Sequence, residues 1–186
     1  MRIIGGSLKG KKINFLQNEI TRPLRDLVKE SIFNIINHSA ISKVDIINSS
    51  VLDLYSGIGS FGLEAISRGA KKVCFVENDK KAFQILIKNL NYLEIENKAL
   101  VYHQKVEEFL FKNKEKKFDI IFLDPPFKSD EYLEYLKLIK EMAIFNKNHL
   151  IIFHREISKN EKTDNILNNF SIKNYGRSKL IYGDFN

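Results

Sequence analysis

The sequence predicts an α/β protein whose sheet is mostly parallel, with helices on both faces, and three observations carry that expectation. From about residue 49 onward, short apolar runs alternate with helix-length segments whose apolar residues recur every three or four positions, the pattern of βαβ units. The first run, Val51-Leu52-Asp53-Leu54, leads through Tyr55-Ser56 into Gly57-Ile58-Gly59-Ser60-Phe61-Gly62, a glycine-rich turn that opens a periodic segment. A later run, Phe118-Asp119-Ile120-Ile121-Phe122-Leu123, stops at Asp124-Pro125-Pro126-Phe127. Open α/β sheets bind ligands beyond the carboxyl ends of their strands, where both clusters fall.

Taken in order, Arg2-Ile3-Ile4 and Lys12-Ile13-Asn14-Phe15, joined through Gly5, Gly6 and Gly10, predict a small N-terminal hairpin. After Thr21-Arg22-Pro23, the residues Leu24, Leu27, Val28, Ile32, Ile35 and Ile36 recur at helical spacing, with the proline in the first turn. Residues 1–40 are therefore expected to form an extension packed on a main domain at 41–186. Strands are expected near 50–54, 72–77, 99–103, 118–124 and 149–154, and helices near 61–69, 79–92, 105–113 and 130–145. Ser129-Asp130-Glu131 supplies the last of these with a cap and first-turn negative charge. A further helix is expected near 158–169. The segments Phe170–Tyr175 and Lys179–Tyr182 then flank Gly176-Arg177-Ser178 as a terminal antiparallel hairpin, bringing the sheet to seven strands.

At 186 residues and 44% hydrophobic, the chain can bury the core of one domain plus an appendage. Thirty Lys and Arg against 23 Asp and Glu give a net charge of +7, which favours a polyanionic partner, nucleic acid first; a drift toward Lys, Asn and Ile is the bland alternative. The run Lys112–Lys117 reads as a solvated loop. A lone cysteine, Cys74, within Val73-Cys74-Phe75-Val76, excludes an intrachain disulfide and a Cys-rich zinc site. His38, His103, His149 and His154 lack ligand spacing, so no metal is expected. The apolar runs are strand-sized and Met1–Gly6 lacks a signal peptide's apolar centre, so a cytoplasmic protein without membrane contact is expected.

The two glycine-turn readings, a dinucleotide seat and a seat for a cationic nucleotide-like ligand, are separated by Asp53. A carboxylate four residues before the first glycine would repel a pyrophosphate and attract a cation. S-adenosylmethionine carries an ammonium and a sulfonium and no phosphate, and Glu77, ending the next run about twenty residues on, suits ribose hydroxyls. In Asp124-Pro125-Pro126-Phe127, two prolines end the strand and stiffen the turn. A carboxylate, carbonyls and an aromatic face are then held together, which suits a flat amine such as a nucleobase.

These motifs resemble those of class I, Rossmann-like S-adenosylmethionine-dependent methyltransferases that act on planar amino nitrogens. Met1-Arg2-Ile3-Ile4-Gly5-Gly6, Thr21-Arg22-Pro23, Ser31-Ile32-Phe33-Asn34, Gly62-Leu63-Glu64-Ala65-Ile66-Ser67-Arg68-Gly69-Ala70 and the Asp-Pro-Pro-Phe end resemble, more narrowly, the RsmD family of bacterial 16S rRNA guanine-N2 methyltransferases. The resemblance spans nearly all of residues 1–154. It implies methyl transfer to a guanine of 16S rRNA, within a small ribosomal subunit or an assembly intermediate, by a monomer that needs no metal. On this resemblance Asp124 and the carbonyl of Pro125 grip the amine, Pro126 stiffens the turn and Phe127 stacks on the base. Asp53 faces the methionine end of the cofactor, with the backbone of Tyr55, Ser56, Gly57 and Gly59 beside it. Glu77 holds the ribose, while Asn78 and Gln104 lie near the adenine. Lys9, Lys11, Lys12, Arg22 and Arg25 are candidates for the RNA backbone. Rival readings are an amino-methyltransferase acting on DNA adenine or cytosine or on protein glutamine, an NAD-dependent oxidoreductase, and a non-catalytic RNA-binding module.

Overall fold

The structure, a computed structural model, describes residues 1–15, 24–126, 131–157 and 166–185. Among the described residues, five α-helices and seven strands follow one another as α1 (Asp26–His38), β1 (Ser50–Leu54), α2 (Ser60–Ser67), β2 (Lys72–Glu77), α3 (Lys80–Leu93), β3 (Ala99–His103), α4 (Val106–Lys112), β4 (Phe118–Leu123), α5 (Glu131–Glu141), β5 (Phe145–Glu156), β6 (Asn168–Tyr175) and β7 (Ser178–Asp184). The strands form one sheet in the order β3-β2-β1-β4-β5-β7-β6. The first five are mutually parallel, and β7 runs antiparallel to both β5 and β6. Strand order reverses between β1 and β4, and the crevice above such a reversal is where α/β sheets bind ligands.

Helices on both faces explain why the central strands are apolar along their whole length rather than alternating. Val51 of β1, Val73 and Phe75 of β2 and Ile120 and Phe122 of β4 pack under α1, α2 and α3. Their neighbours Leu52, Leu54, Cys74, Val76, Ile121 and Leu123 pack under α4 and α5. Phe61 links the first layer, with its ring 5.5 Å from Phe33 of α1 and 4.2 Å from Phe122 of β4. Cys74 is buried, and burial pushes its thiol up to about 12, which leaves it inert as a nucleophile. Leu27, counted in the apolar stripe of α1, instead faces solvent, because the buried face runs through Val28, Ile32, Phe33, Ile35 and Ile36.

The N-terminal strand pair is shorter than the apolar pattern suggests. A single antiparallel bridge joins Arg2 to Lys12, supported by Ile3 N donating to Lys11 O (3.0 Å) and Ile13 N to Met1 O (3.0 Å). Several of its other backbone groups are satisfied by α2. Ile4 N donates to Glu64 Oε2 (2.8 Å), Leu8 N to Ser67 Oγ (2.9 Å) and Ser67 Oγ to Gly5 O (2.6 Å). Glu64 is wholly buried and also accepts from Arg68 Nε at 2.8 Å, with Lys29 Nζ 4.0 Å away. Lys29, equally buried, donates to Arg2 O at 2.8 Å, so charged side chains of α1 and α2 hold the first residues of the chain. A buried charge is tolerated only with such partners.

Three expected boundaries move. The helix expected over 130–145 ends at Glu141, where Ala143 N donates to Lys140 O and Ile144 N to Ile139 O, both at 3.1 Å, with Ala143 at φ 49°. This is a Schellman cap with alanine where glycine is usual, so no glycine marks the stop. Strand β5 accordingly begins at Phe145, ahead of the expected 149, and the register irregularity between Phe118 and Ile120 absorbs its polar start. Of the helix expected over 158–169, residues 158–165 lie outside the described residues, and Asn168 and Asn169 already belong to β6. Among the described residues no helix is long and apolar enough to cross a membrane.

Candidate active site

The turn from β1 into α2 winds through three left-handed residues, Tyr55 (φ 59°), Gly57 (φ 56°) and Gly59 (φ 87°). Gly59 N donates to Ser56 O at 2.8 Å, and Ser56 N reaches across to Val76 O of β2 at 3.1 Å, which fixes the turn against the neighbouring strand. A Cβ on Gly57 would meet no heavy atom within 4 Å, so this turn presents bare backbone to open space. A Cβ on Gly62 would lie 2.2 Å from Phe75 Cε1, so α2 sits on β2 as closely as a glycine permits.

Asp53 points up from β1 beneath this turn and is 1% exposed. Its Oδ2 accepts from Gly62 N at 3.0 Å, satisfying one of the unpaired first-turn donors of α2. Burial pushes the Asp53 carboxyl well above the usual carboxylate range; the Gly62 bond opposes that rise, and the negative charges of Asp124 and Glu77 add to it. Glu77, at the end of β2, accepts from Gly57 N with Oε2 and from Asp79 N with Oε1, both at 2.6 Å. Burial raises its carboxyl too, against these backbone bonds. An ionised carboxylate has about four acceptor positions, so these backbone bonds leave it capacity for a ligand hydroxyl. Beside it Gln104 N donates to Glu77 O at 3.2 Å, while the Gln104 side-chain Nε2 is buried without a hydrogen-bond partner. Asn78 is exposed, and its carbonyl lies 3.2 Å from Nε2 of His103, whose ring stacks on Phe83.

The second half of the crevice is the end of β4. Asp124 N donates to Leu54 O at 3.3 Å, which extends the β1–β4 pairing by one residue and sets Asp124 beside the glycine turn. Asp124 is half-buried, Pro125 buried and Pro126 exposed. Asp124 Oδ1 lies 2.9 Å from His154 Nδ1, and Arg155 Nη1 donates to Pro126 O at 3.0 Å. Three carboxylates, Asp53, Glu77 and Asp124, thus stand at the ends of three adjacent strands, and the charges of Asp124 and Glu77 add to the rise that burial imposes on Asp53.

A family model described as conserved hypothetical protein 95 matches residues 1–183. The chain is 38% identical over 161 residues to the ribosomal RNA small subunit methyltransferase D of Haemophilus influenzae, covering 86% of this chain and 80% of that one. It belongs to the RsmD family. The solved structure of yhhF from Escherichia coli superposes with a TM-score of 0.83 at 30% identity, over 100% of this chain and 99% of that one. The T. thermophilus 16S rRNA N2 G1207 methyltransferase RsmC, solved with AdoMet and guanosine, shares the fold at a TM-score of 0.72 and 21% identity, over 100% of this chain and 49% of that one.

In this RsmD-family chain, Asp53, Tyr55, Ser56, Gly57, Gly59, Glu77, Gln104, Asp124, Pro125 and Pro126 gather around the strand ends, with Asn78 at the rim. Phe127 and Arg22 lie outside the described residues. Lys9, Lys11, Lys12 and Arg25 are all exposed, the lysines on the N-terminal arm and Arg25 just before α1. Sequence reasoning missed His154 and Arg155, since it examined the histidines only for metal-ligand spacing. A signal was available: polar residues continuing the apolar run Leu150-Ile151-Ile152-Phe153 at its carboxyl end. Among the described residues no three His, Cys, Asp or Glu side chains could hold a metal ion.

Proposed function

We propose that the chain transfers a methyl group from S-adenosylmethionine to the exocyclic N2 of a guanine in 16S rRNA, in a small ribosomal subunit or an assembly intermediate. The observation that carries this reading is the placement of Asp124, on a proline-stiffened turn one hydrogen bond from Leu54 and beside the carboxylate-lined glycine turn. Family membership supports it, because relatives across the length of the chain are named ribosomal RNA small subunit methyltransferase D.

S-adenosylmethionine suits the residues present. Its cationic end would relieve the repulsion at Asp53, Glu77 offers lone pairs to ribose hydroxyls, and the buried Nε2 of Gln104 needs an acceptor, which an adenine ring provides. A pyrophosphate would meet three carboxylates, which argues against NAD. When bound, the cofactor supplies an electrophilic methyl group on a sulfonium. The lone pair of a guanine amine is delocalised into its ring, so the acceptor must be aligned by its protons. Asp124 and the Pro125 carbonyl accept those two hydrogens and turn the nitrogen lone pair toward the methyl carbon. Alignment of this kind supplies much of the acceleration in such a displacement. The nitrogen then loses one proton, for which the Asp124 carboxylate is the nearest acceptor on the turn. Phe127 follows in sequence and would stack on the base. The exposed Lys9, Lys11, Lys12 and Arg25 would meet phosphates.

The test incubates the protein and methyl-labelled S-adenosylmethionine with unmodified small subunits, naked 16S rRNA, duplex DNA or protein substrates. Label in RNA, recovered as N2-methylguanine after digestion, is expected. Asp124→Ala abolishes transfer and retains binding of S-adenosylhomocysteine. Label confined to DNA or protein, or preferential thermal stabilisation by NADH, overturns the reading.

A further inference from the structure

Strand β5 is apolar from Leu150 to Phe153 and then turns polar while still buried, with His154 8% and Arg155 3% exposed. Polar groups at such positions cost free energy unless they are partnered. Leu123 and Phe153 are register partners in the parallel β4–β5 pair, so Asp124 and His154 occupy the next positions on adjacent strands. The His154 Nδ1 to Asp124 Oδ1 distance is 2.9 Å. An ionised carboxylate only accepts, so Nδ1 carries the hydrogen and donates it. The following residue grips the other end of the same turn. Arg155 donates from Nη1 to Pro126 O at 3.0 Å, and its guanidinium carbon lies 4.3 Å from the ring centre of Tyr132 in α5.

We propose that His154 is a positioning residue for Asp124. Its Nδ1–H occupies Oδ1 and fixes the carboxylate plane, leaving Oδ2 as the acceptor presented to the substrate amine, while Arg155 anchors the turn beyond it. Two consecutive side chains of β5 thereby replace flexibility that two prolines alone do not remove, because proline fixes the backbone φ but leaves the Asp124 side-chain torsions free. The inference rests on the methyl-transfer reading above.

The discriminating pair is His154→Asn and His154→Gln. Both keep a polar amide in the strand. Asn places its amide nitrogen near the position of Nδ1 and retains the donor to Asp124, whereas Gln carries it out toward the position of Nε2. Single-turnover and steady-state methylation should show kcat of His154→Gln reduced about 10- to 100-fold, as expected for a displaced reacting group, with KM for S-adenosylmethionine and for RNA nearly unchanged. His154→Asn should recover most of that loss. Wild-type kcat in His154→Gln, or equal losses in the Asn and Gln variants, would each overturn the positioning role. An inactive wild-type protein would instead refute the methyl-transfer reading itself.

Discussion

Gly57→Ala separates a ligand seat from a merely structural turn. Gly57 sits at φ 56°, and an added Cβ would find no heavy atom within 4 Å, so the substitution introduces no clash in the free protein. The remaining penalty is the left-handed backbone, about 1–2 kcal/mol for a residue with a Cβ. For a chain of 186 residues, each kcal/mol lowers the melting temperature by about 2–4 °C, which gives a total shift of about 2–8 °C. If the bare backbone is where the cofactor approaches, the same methyl group fills part of its seat. Overpacking of that kind costs about 1–3 kcal/mol, a loss of about 5- to 150-fold in affinity for S-adenosylhomocysteine. Gly62→Ala is the control. Its Cβ would lie 2.2 Å from Phe75 Cε1 and 2.9 Å from Val73 Cγ1, so it should destabilise the fold by overpacking while the folded fraction still binds. Urea denaturation and titration calorimetry on both variants make the measurement. Wild-type affinity in Gly57→Ala would remove this turn from the cofactor site.

Asp53→Asn keeps an oxygen for Gly62 N but removes a buried charge whose carboxyl is held above its usual range by burial. The free protein should gain stability at neutral pH, while affinity for S-adenosylhomocysteine falls. That gain should shrink on acidification, because the folded state of the wild type takes up its proton first and below both pKa values the penalty is gone. A variant less stable than wild type at neutral pH would show that the carboxylate is not strained in the free protein. His149 gives the opposite pH response. Its Nδ1 faces Asn146 O and its Nε2 accepts from Phe185 N, both at 2.9 Å, so a second ring proton would meet an N–H; burial is the larger reason that its pKa lies below 6.5. Above pH 6.5 both folded and unfolded states are neutral there, whereas below it the unfolded chain binds the proton more readily and stability is lost. Wild-type protein should therefore lose more stability than His149→Gln between about pH 7 and about pH 5 in urea titrations, and parallel pH profiles would refute this assignment.

What the sequence determined by itself was whatever depends on near neighbours. Apolar runs flanked by helical spacing located the central strands, and glycine, aspartate and proline marked the two turns that form the crevice, because backbone preferences act over a few residues. Where the local signal is missing the boundary moved, as at Ala143, whose left-handed cap lacks the usual glycine. Only the tertiary structure decided which strands lie side by side. The order β3-β2-β1-β4-β5-β7-β6 brings His154 against Asp124, 30 residues away, and packing of the arm on α2 brings Glu64 against Ile4, 60 residues away. Lys29 and Glu64 look like surface residues in the sequence and are buried because the arm covers them. Strand adjacency and burial arise from pairing and packing between distant segments. No window of sequence carries the charge environment they create at the ends of β1, β2 and β4, where Asp53, Glu77 and Asp124 stand on adjacent strands.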